Sequence, residues 1–215
     1  EEVIQLSKSE GLDPVISMIG TETAKWMRKE FPNLKYEPHR DYFEYVYLSR
    51  DLADLPGKDH LKVRNYLNKF RKNNDHTIEE ISRDNVHEVK EFLFEWCERK
   101  GCRDDPLLLH ERQANFHALE DMFPLGFGGL IIRVNGEVEA FSIFEEMLKD
   151  MAVVHHEKAN PDITGIYQAI NNETARHLFD RYRFINREAD MGVEGLRQAK
   201  QRYKPHHFIE IYHAR

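Results

Sequence analysis

The stretch MAVVHHEKANPDITGIYQAINNETARHLFDRYRFINREADMGVEGLRQAKQRY, Met151 to Tyr203, decides the fold. Met151 to Ala159 reads as a strand, because Val153 and Val154 are β-branched and no breaker occurs before Pro161. Asn160, Pro161, Asp162 and Gly165 are turn residues, and Ile166, Ala169, Ile170, Ala175, Leu178 and Phe179 then recur at helical spacing. Arg183 to Asn186 returns as a short strand. Strand, helix and strand in this order predict a right-handed parallel crossover, with the loop after the first strand open at the carboxyl end of the sheet. Open α/β sheets bind ligands at that end.

Outward from this stretch, Pro205 stops the helix that ends near Tyr203, and His207 to Tyr212 alternates as a last strand. On the other side, Asn135-Gly136 is a hairpin signal, since both central residues of a type I′ turn need positive φ. It joins strands Leu130–Val134 and Val138–Leu148, and Lys149-Asp150 turns into the Met151 strand. Further upstream, Pro106 to Phe123 predicts a helix. Asn85 with Glu88 predicts a capping box for a helix striped by Val86, Val89, Phe92, Leu93, Trp96 and Cys97 and ended by Gly101. His76 to Ile81 predicts a strand.

The first third of the chain predicts a helix capped by Asp13-Pro14, with Val15, Ile16, Ile19, Ala24 and Met27 on one face as far as Phe31-Pro32. Leu34–Glu37 and Tyr42–Leu48 read as strands. A turn-rich link, Arg50 to Gly57, enters a helix from Lys58 to Lys72 striped by Val63, Tyr66, Leu67 and Phe70. Lys58, Lys62, Arg64, Lys69, Arg71 and Lys72 stand on this helix against one acid, Asp59, and read first as a solvated face and second as a phosphate-binding one.

With 215 residues, 40% of them hydrophobic, the chain can bury a sizeable core. A formal net charge of −7 points away from wholesale binding of nucleic acid or anionic membrane. No apolar run approaches a membrane span, and a start at Glu1-Glu2 reads as a segment of a longer protein. Cys97 and Cys102 are too few for a disulfide framework and are expected to be spare thiols of a cytoplasmic protein. His110 and His117 lie seven apart and no HExxH or Cys/His spacing occurs, so no metal site is expected.

From His76 the order is strand, two helices, three meandering strands, helix, strand, helix, strand, which resembles the N-acetyltransferase (GNAT) fold. The expected class is α+β, a mixed and mostly antiparallel sheet with flanking helices. Arg50-Asp51, Asp54 and Gly57 before Leu61-Lys62 echo Arg187-Glu188, Asp190 and Gly192 before Leu196-Arg197. The echo predicts a truncated first copy, 1–74, ahead of a complete one, 75–215.

If such a fold transfers acyl groups, the protein must supply a base for the attacking amine and an acid for the leaving group. Glu157, near the strand end, is the base candidate, and Tyr203 is the acid candidate. An exposed ion pair of Glu157 with Lys158 or Arg187 is the competing reading, and a Glu157 wholly sheathed by salt bridges with no cavity beside it would instead favour a non-catalytic module. Asn160, Gly165 and Tyr167 line the loop and helix start where a donor would enter. Arg187, Glu188 and Asp190 flank the second strand-to-helix turn, where the carboxylates suit a cationic amine, and Arg197 and Lys200 on the next helix suit a polyanionic donor. Structural ion pairs among these same residues are the competing reading.

Glu157-Lys-Ala-Asn160, Gly165-Ile-Tyr-Gln-Ala-Ile-Asn171, and Ile185-Asn-Arg-Glu-Ala-Asp-Met-Gly-Val-Glu-Gly-Leu-Arg-Gln-Ala-Lys200 with Tyr203 and Pro205 resemble the phosphatidylglycerol lysyltransferase C-terminal-domain-like family. Tyr45-Val-Tyr-Leu48, Asp51-Leu52, Gly57 and Lys62 with Arg64-Asn65 are similar to it as well. The resemblance implies a tandem GNAT-like fold and a transferase that takes an aminoacyl group from aminoacyl-tRNA to a lipid, or to another amine or hydroxyl acceptor. Coenzyme A binders of the wider superfamily carry an Arg/Gln-x-x-Gly-x-Gly/Ala loop. Here the corresponding Asp162-Ile-Thr-Gly165-Ile-Tyr167 lacks the first basic or amide residue and the second glycine. An acyl-coenzyme A-dependent N-acyltransferase and a non-catalytic ligand-sensing or protein-interaction module are the two alternatives.

Overall fold

The computed structural model describes residues 2–12, 14–102 and 106–215. They divide into two compact units, a larger one of Tyr47–Arg187 with Arg202–Lys204 and a smaller one of Glu1–Val46, Glu188–Gln201 and Pro205–Arg215. These units do not follow a sequential boundary at residue 74. Ancestry and compactness divide a chain differently, and the two-copy boundary stays a proposal.

In the larger unit, β4 (His76–Glu80), β5 (Gly128–Val134), β6 (Glu137–Leu148) and β7 (Met151–Ala159) pair antiparallel in that order, and β8 (Phe184–Ala189) adds parallel to β7. Asn135 and Gly136 both take positive φ, 54° and 93°, as the hairpin turn between β5 and β6 requires. Helix α7 (Ile166–Leu178) makes the parallel crossover and buries Ile166, Ala169, Ile170, Ala175 and Leu178, the face its spacing marks. Helices α5 (Val86–Lys100) and α6 (Pro106–Leu125) contribute Val89, Phe92, Leu93, Trp96, Leu119 and Met122 to a core shared with Ile131, Phe141 and Ile143. Burial of each such side chain stabilises the fold by about 1.5–3 kcal/mol. The expected α+β class with a mostly antiparallel sheet is the observed one.

Residues 47–73 also belong to this unit. The link after β3 (Glu44–Leu48) is a short helix, α3 (Ser49–Asp54), which the turn residues of Arg50–Gly57 hid. Helix α4 (Leu61–Asn73) buries Val63, Leu67 and Phe70, but leaves Tyr66 40% exposed. Its backbone crosses the start of α7. A Cβ at Gly165 would run into the Tyr66 carbonyl and come within 3.0 Å of Phe70 Cβ, and Gly165 also sits at φ 88°.

The smaller unit holds a three-stranded sheet in the order β1 (Ile16–Gly20), β10 (Ile211–Ala214), β2 (Tyr36–Pro38), covered by α2 (Thr21–Glu30). Antiparallel pairing of β9 (His207–Ile209) with β3 at Glu44↔Ile209 and Val46↔His207 completes its strands, and α1 (Glu2–Ser9) opens the chain. The single helix expected over residues 15–31 is therefore corrected. Ile16 and Ile19 are β-branched and pair with Ala214 and Tyr212 of β10, and the helix begins only at Thr21. The Asp13 cap falls outside the described residues.

Two further expectations are corrected. Asn85 does not close a capping box: its Oδ1 accepts from Ser82 N at 2.7 Å, and Glu88 is drawn away by Arg133 at 2.6 Å. Cys97 and Cys102 form a disulfide with Cα atoms 5.2 Å apart, both in the core of the larger unit. That withdraws the thiol-based argument for a reducing compartment. Among the described residues, no helix is long and apolar enough to cross a membrane.

Two outcomes are expected in chemical denaturation. Gly165→Ala loses about 2 kcal/mol or more, from positive φ plus the collision with α4. Gly136→Ala, with nothing near its Cβ, loses about 1 kcal/mol from φ alone. Equal losses would mean that the α4 crossing constrains nothing. Replacing both cysteines by serine, which opens a loop with a sequence separation of 5, lowers stability by about 2 kcal/mol, and reductant lowers wild-type stability similarly.

Candidate functional site

β7 and β8 pair only at their beginnings, Met151↔Phe184, Ala152↔Ile185 and Val153↔Asn186. Beyond that register β7 runs on to Ala159, and its pairing with β6 slips between Val154 and His156, a bulge that leaves His155 opposite no residue of β6. Glu157 stands on this reach, paired with Ser142 of β6 and beyond the register shared with β8. Its Oε2 accepts from Arg187 Nε at 3.0 Å and from Nη2 at 2.5 Å, and the two side chains are 12% and 14% exposed. Among the described residues Glu157 Oε1 accepts no hydrogen bond, so Arg187 closes one side of the carboxylate and leaves the other.

Arg187 is held from several directions. Its guanidinium lies 5.1 Å from the Tyr203 ring centroid and 5.9 Å from that of Tyr47. Asn171, with its amide oxygen turned to Arg187, accepts from Nε and Nη1 at 3.2 and 3.3 Å. Burial works against the charged guanidinium, yet the Glu157 carboxylate holds its pKa above the ordinary arginine value. The neighbouring Tyr203 hydroxyl is pushed up to about 12, chiefly by burial, with Arg187 opposing and Glu157 adding to the rise. Tyr203 therefore keeps its proton at neutral pH.

The next residue of β7, Lys158, turns the other way, as alternation requires. It reaches Glu111 at 2.6 Å and lies 4.5 Å from the Trp96 ring centroid. Trp96 Nε1 donates to Ala159 O at 3.1 Å. In the loop, Asn160 Nδ2 donates to Glu139 at 2.8 Å and Asn160 Oδ1 accepts from Asp162 N at 3.0 Å, which makes a closed turn. Burial pushes the Tyr167 hydroxyl above its ordinary pKa. With Tyr66 of α4 packed on Gly165, this loop is not an open anion cradle.

In the smaller unit, Asp190 has a fully buried side chain. Arg197 donates to both its oxygens at 2.8 and 2.9 Å, Arg40 and Tyr45 to Oδ2 at 3.2 and 2.6 Å, and Gly192 N to Oδ1 at 3.0 Å. Arg197 also bonds Asp41 at 2.6 Å. Burial alone would push the Asp190 carboxyl up, but the bonds from Arg197, Tyr45 and Gly192 outweigh it and hold the pKa well below the usual carboxylate range. Lys200 Nζ donates to the carbonyls of Glu188 and Ala189 at 3.1 and 2.7 Å. Glu188 and Met191 both take left-handed φ, 55° and 50°, a strain that these bonds hold in place.

Of the residues marked in the sequence, Glu157, Arg187 and Tyr203 meet in the larger unit, with Asn160, Gly165 and Tyr167 on the loop and helix that follow β7. Glu188, Asp190, Arg197 and Lys200 meet in the smaller unit. Tyr47, Asn171, Arg40, Asp41 and Tyr45 went unmarked. Tyr45 and Tyr47 sit two apart on a strand, a one-face signal that reads equally as core packing.

The chain spans 56% of the length of a curated relative, an uncharacterized protein of Mycoplasmoides gallisepticum, to which it is 23% identical over 81% of its own length. A crystal structure of a conserved protein of unknown function from Bacteroides thetaiotaomicron is 33% identical, with a TM-score of 0.90, and the match covers 99% of this chain and 73% of that one. The structure of L-PGS from Bacillus licheniformis is 15% identical with a TM-score of 0.66, over 99% of this chain and 70% of that one. A GCN5-related N-acetyltransferase from Kribbella flavida shares the fold at 12% identity and a TM-score of 0.50, over 99% and 72% of the two chains. The fold is GNAT-like. Residues 1–215 match the family of the phosphatidylglycerol lysyltransferase C-terminal region, and the chain belongs to that family.

Proposed function

We propose that the chain carries the transfer chemistry of a GNAT-fold aminoacyl- or acyltransferase, at the point where β7 and β8 part. The observation that carries this reading is the meeting of Glu157 on β7 and Arg187 on β8 with Tyr203, whose ring lies 5.1 Å from the Arg187 guanidinium. Glu157 takes the proton of an attacking amine or hydroxyl through Oε1, while Arg187 fixes the carboxylate through Oε2. The new C–N or C–O bond forms as the ester or thioester bond breaks, and Tyr203 gives its proton to the leaving group. A hydroxyl with a pKa of about 12 suits a departing alkoxide. A thiolate, whose ordinary pKa is about 8.5, does not need such an acid. Together with the α4 carbonyl packed on Gly165, this favours an ester donor such as aminoacyl-tRNA over acyl-coenzyme A.

In the smaller unit the strained Glu188–Gly192 turn is assigned to substrate. Glu188 is its carboxylate for a cationic amine. Asp190, with both oxygens engaged, orients Arg197, and Lys200 fixes the turn through its carbonyls. The acceptor is an amine or a hydroxyl, and a lipid is one such acceptor. Thermal shift and single-turnover transfer with charged tRNA, uncharged tRNA and acyl-coenzyme A test the donor. Saturable acyl-coenzyme A binding with transfer would reverse the ester assignment, and silence with every donor would favour a non-catalytic module.

Glu157→Gln is expected to slow transfer by ~10²–10⁴-fold. Because its partner is buried, it also lowers stability by about 3 kcal/mol. The double variant Glu157→Gln, Arg187→Gln regains part of that stability without regaining transfer. Recovery of transfer together with stability would show that Glu157 holds the fold and is not the base.

Asp190→Asn is expected to cost about 3 kcal/mol at neutral pH. The folded pKa of Asp190 lies below the unfolded value of about 3.9. Its contribution is therefore full above about pH 4 and lost as pH falls toward the folded value. Urea titrations from neutral to acid pH should show this acid loss in wild type and a flatter profile in the variant; parallel profiles would remove Asp190 as its source.

A further inference from the structure

A cavity of about 190 Å³ opens in the larger unit among α3, α4 and α7, away from β7 and β8, and its wall is cationic. Arg64, Arg71 and Arg176 line it with Asn68 and Asn172, against one acid, Asp54, which lies 3.8 Å from Arg50. Two of the guanidiniums are fixed by the fold. Arg71 Nη2 donates to Asn172 at 3.0 Å and to Glu173 at 2.6 Å, and Asn172, buried, is itself anchored through Nδ2 to the carbonyls of Leu52 and Ala53 at 2.8 Å. Arg64 Nη1 donates to the carbonyls of Leu55 and Gly57. Each arginine uses one nitrogen for this anchoring and carries further N–H donors in the same rigid fork. Arg176 is exposed at the rim.

We propose that this cavity binds the terminal phosphoryl group of a small molecule. A phosphate monoester carries close to two negative charges and three acceptor oxygens, which three guanidinium forks match. A phosphodiester carries one charge and asks for an open track along a surface, whereas this cavity is small and ringed by three helices. Nothing in the argument depends on the transfer reading, and Glu157→Gln should leave phosphate binding unchanged.

Inorganic phosphate is the probe, titrated by calorimetry and thermal shift at low ionic strength, with chloride at matched ionic strength as control. Saturable stabilisation by phosphate is expected, as for any ligand bound only by the native state. Arg176→Gln and Asn68→Asp, both on exposed side chains, should each weaken phosphate about tenfold while leaving the ligand-free melting temperature unchanged. If Arg176→Gln alters that temperature, Asn68→Asp decides. A shift reproduced by chloride, or variants that bind phosphate as wild type does, would overturn the site. Displacement of phosphate by an RNA oligonucleotide without terminal phosphates would overturn the small-molecule assignment and give the cavity to backbone phosphate.

Discussion

A guanidinium withdrawn from water at Arg187 is the constraint around which the larger unit closes. An ion of this kind, moved into the interior, costs several kcal/mol unless its partner and its remaining donors are satisfied. Here Glu157 supplies the countercharge, Asn171 an amide oxygen, and Tyr47 and Tyr203 the ring faces. These four groups come from β7, α7, β3 and the segment Arg202–Lys204, and with β8, which carries Arg187, one charge ties five separate stretches of chain together. It also stands where β7 and β8 stop pairing. The pair bridges an opening that backbone hydrogen bonds between β7 and β8 no longer close.

The second constraint is the crossing of α4 over α7. The sequence suggests that residues up to 74 are the remnant of a first copy, yet α3 and α4 are part of the larger compact unit. Gly165 explains how. Without a Cβ it admits the Tyr66 carbonyl against the first turn of α7, and its left-handed φ starts that helix. The same contact turns a helix start that elsewhere suits an anion into a packed junction. Arg64 and Arg71 of α4 then face a different space, the small cavity beside α3.

Legibility followed the locality of the signal. The crossover, the meander and the Asn135-Gly136 turn were readable because periodicity and turn chemistry are written in neighbouring residues. The strand at Ile16–Gly20 was not, because five apolar-rich residues before a helix carry the same spacing as its first turn, and only pairing with β10, far along the chain, decides between them. Asn85 and Glu88 had the spacing of a capping box, but Arg133 offered Glu88 a charged partner that no local pattern reveals. Cys97 and Cys102 were misread from their number, when their closeness across Gly101 was the stronger fact. In the candidate site, Glu157, Arg187 and Tyr203 were legible as types in one decisive stretch. Tyr47 and Asn171 were not, since a tyrosine on a strand and an asparagine on a helix look like ordinary packing until a buried charge stands between them.

The Glu188–Gly192 turn shows why a sequence rich in carboxylates need not present an acidic pocket. Left-handed φ at Glu188 and at Met191 costs of order 1–3 kcal/mol each, so the turn persists only if its surroundings over-determine it. Asp190 does so by accepting five hydrogen bonds, and Lys200 does so by capturing two carbonyls. One of the two acids that the sequence offered to a cationic amine is thereby consumed in holding the backbone. What it fixes in return is Arg197, locked between Asp190 and Asp41, and the unusual backbone at Glu188. The turn's conformation is thus set by Asp190 and Lys200, whose charges are spent within the smaller unit, so a count of its carboxylates and cations overstates what the turn presents to solvent.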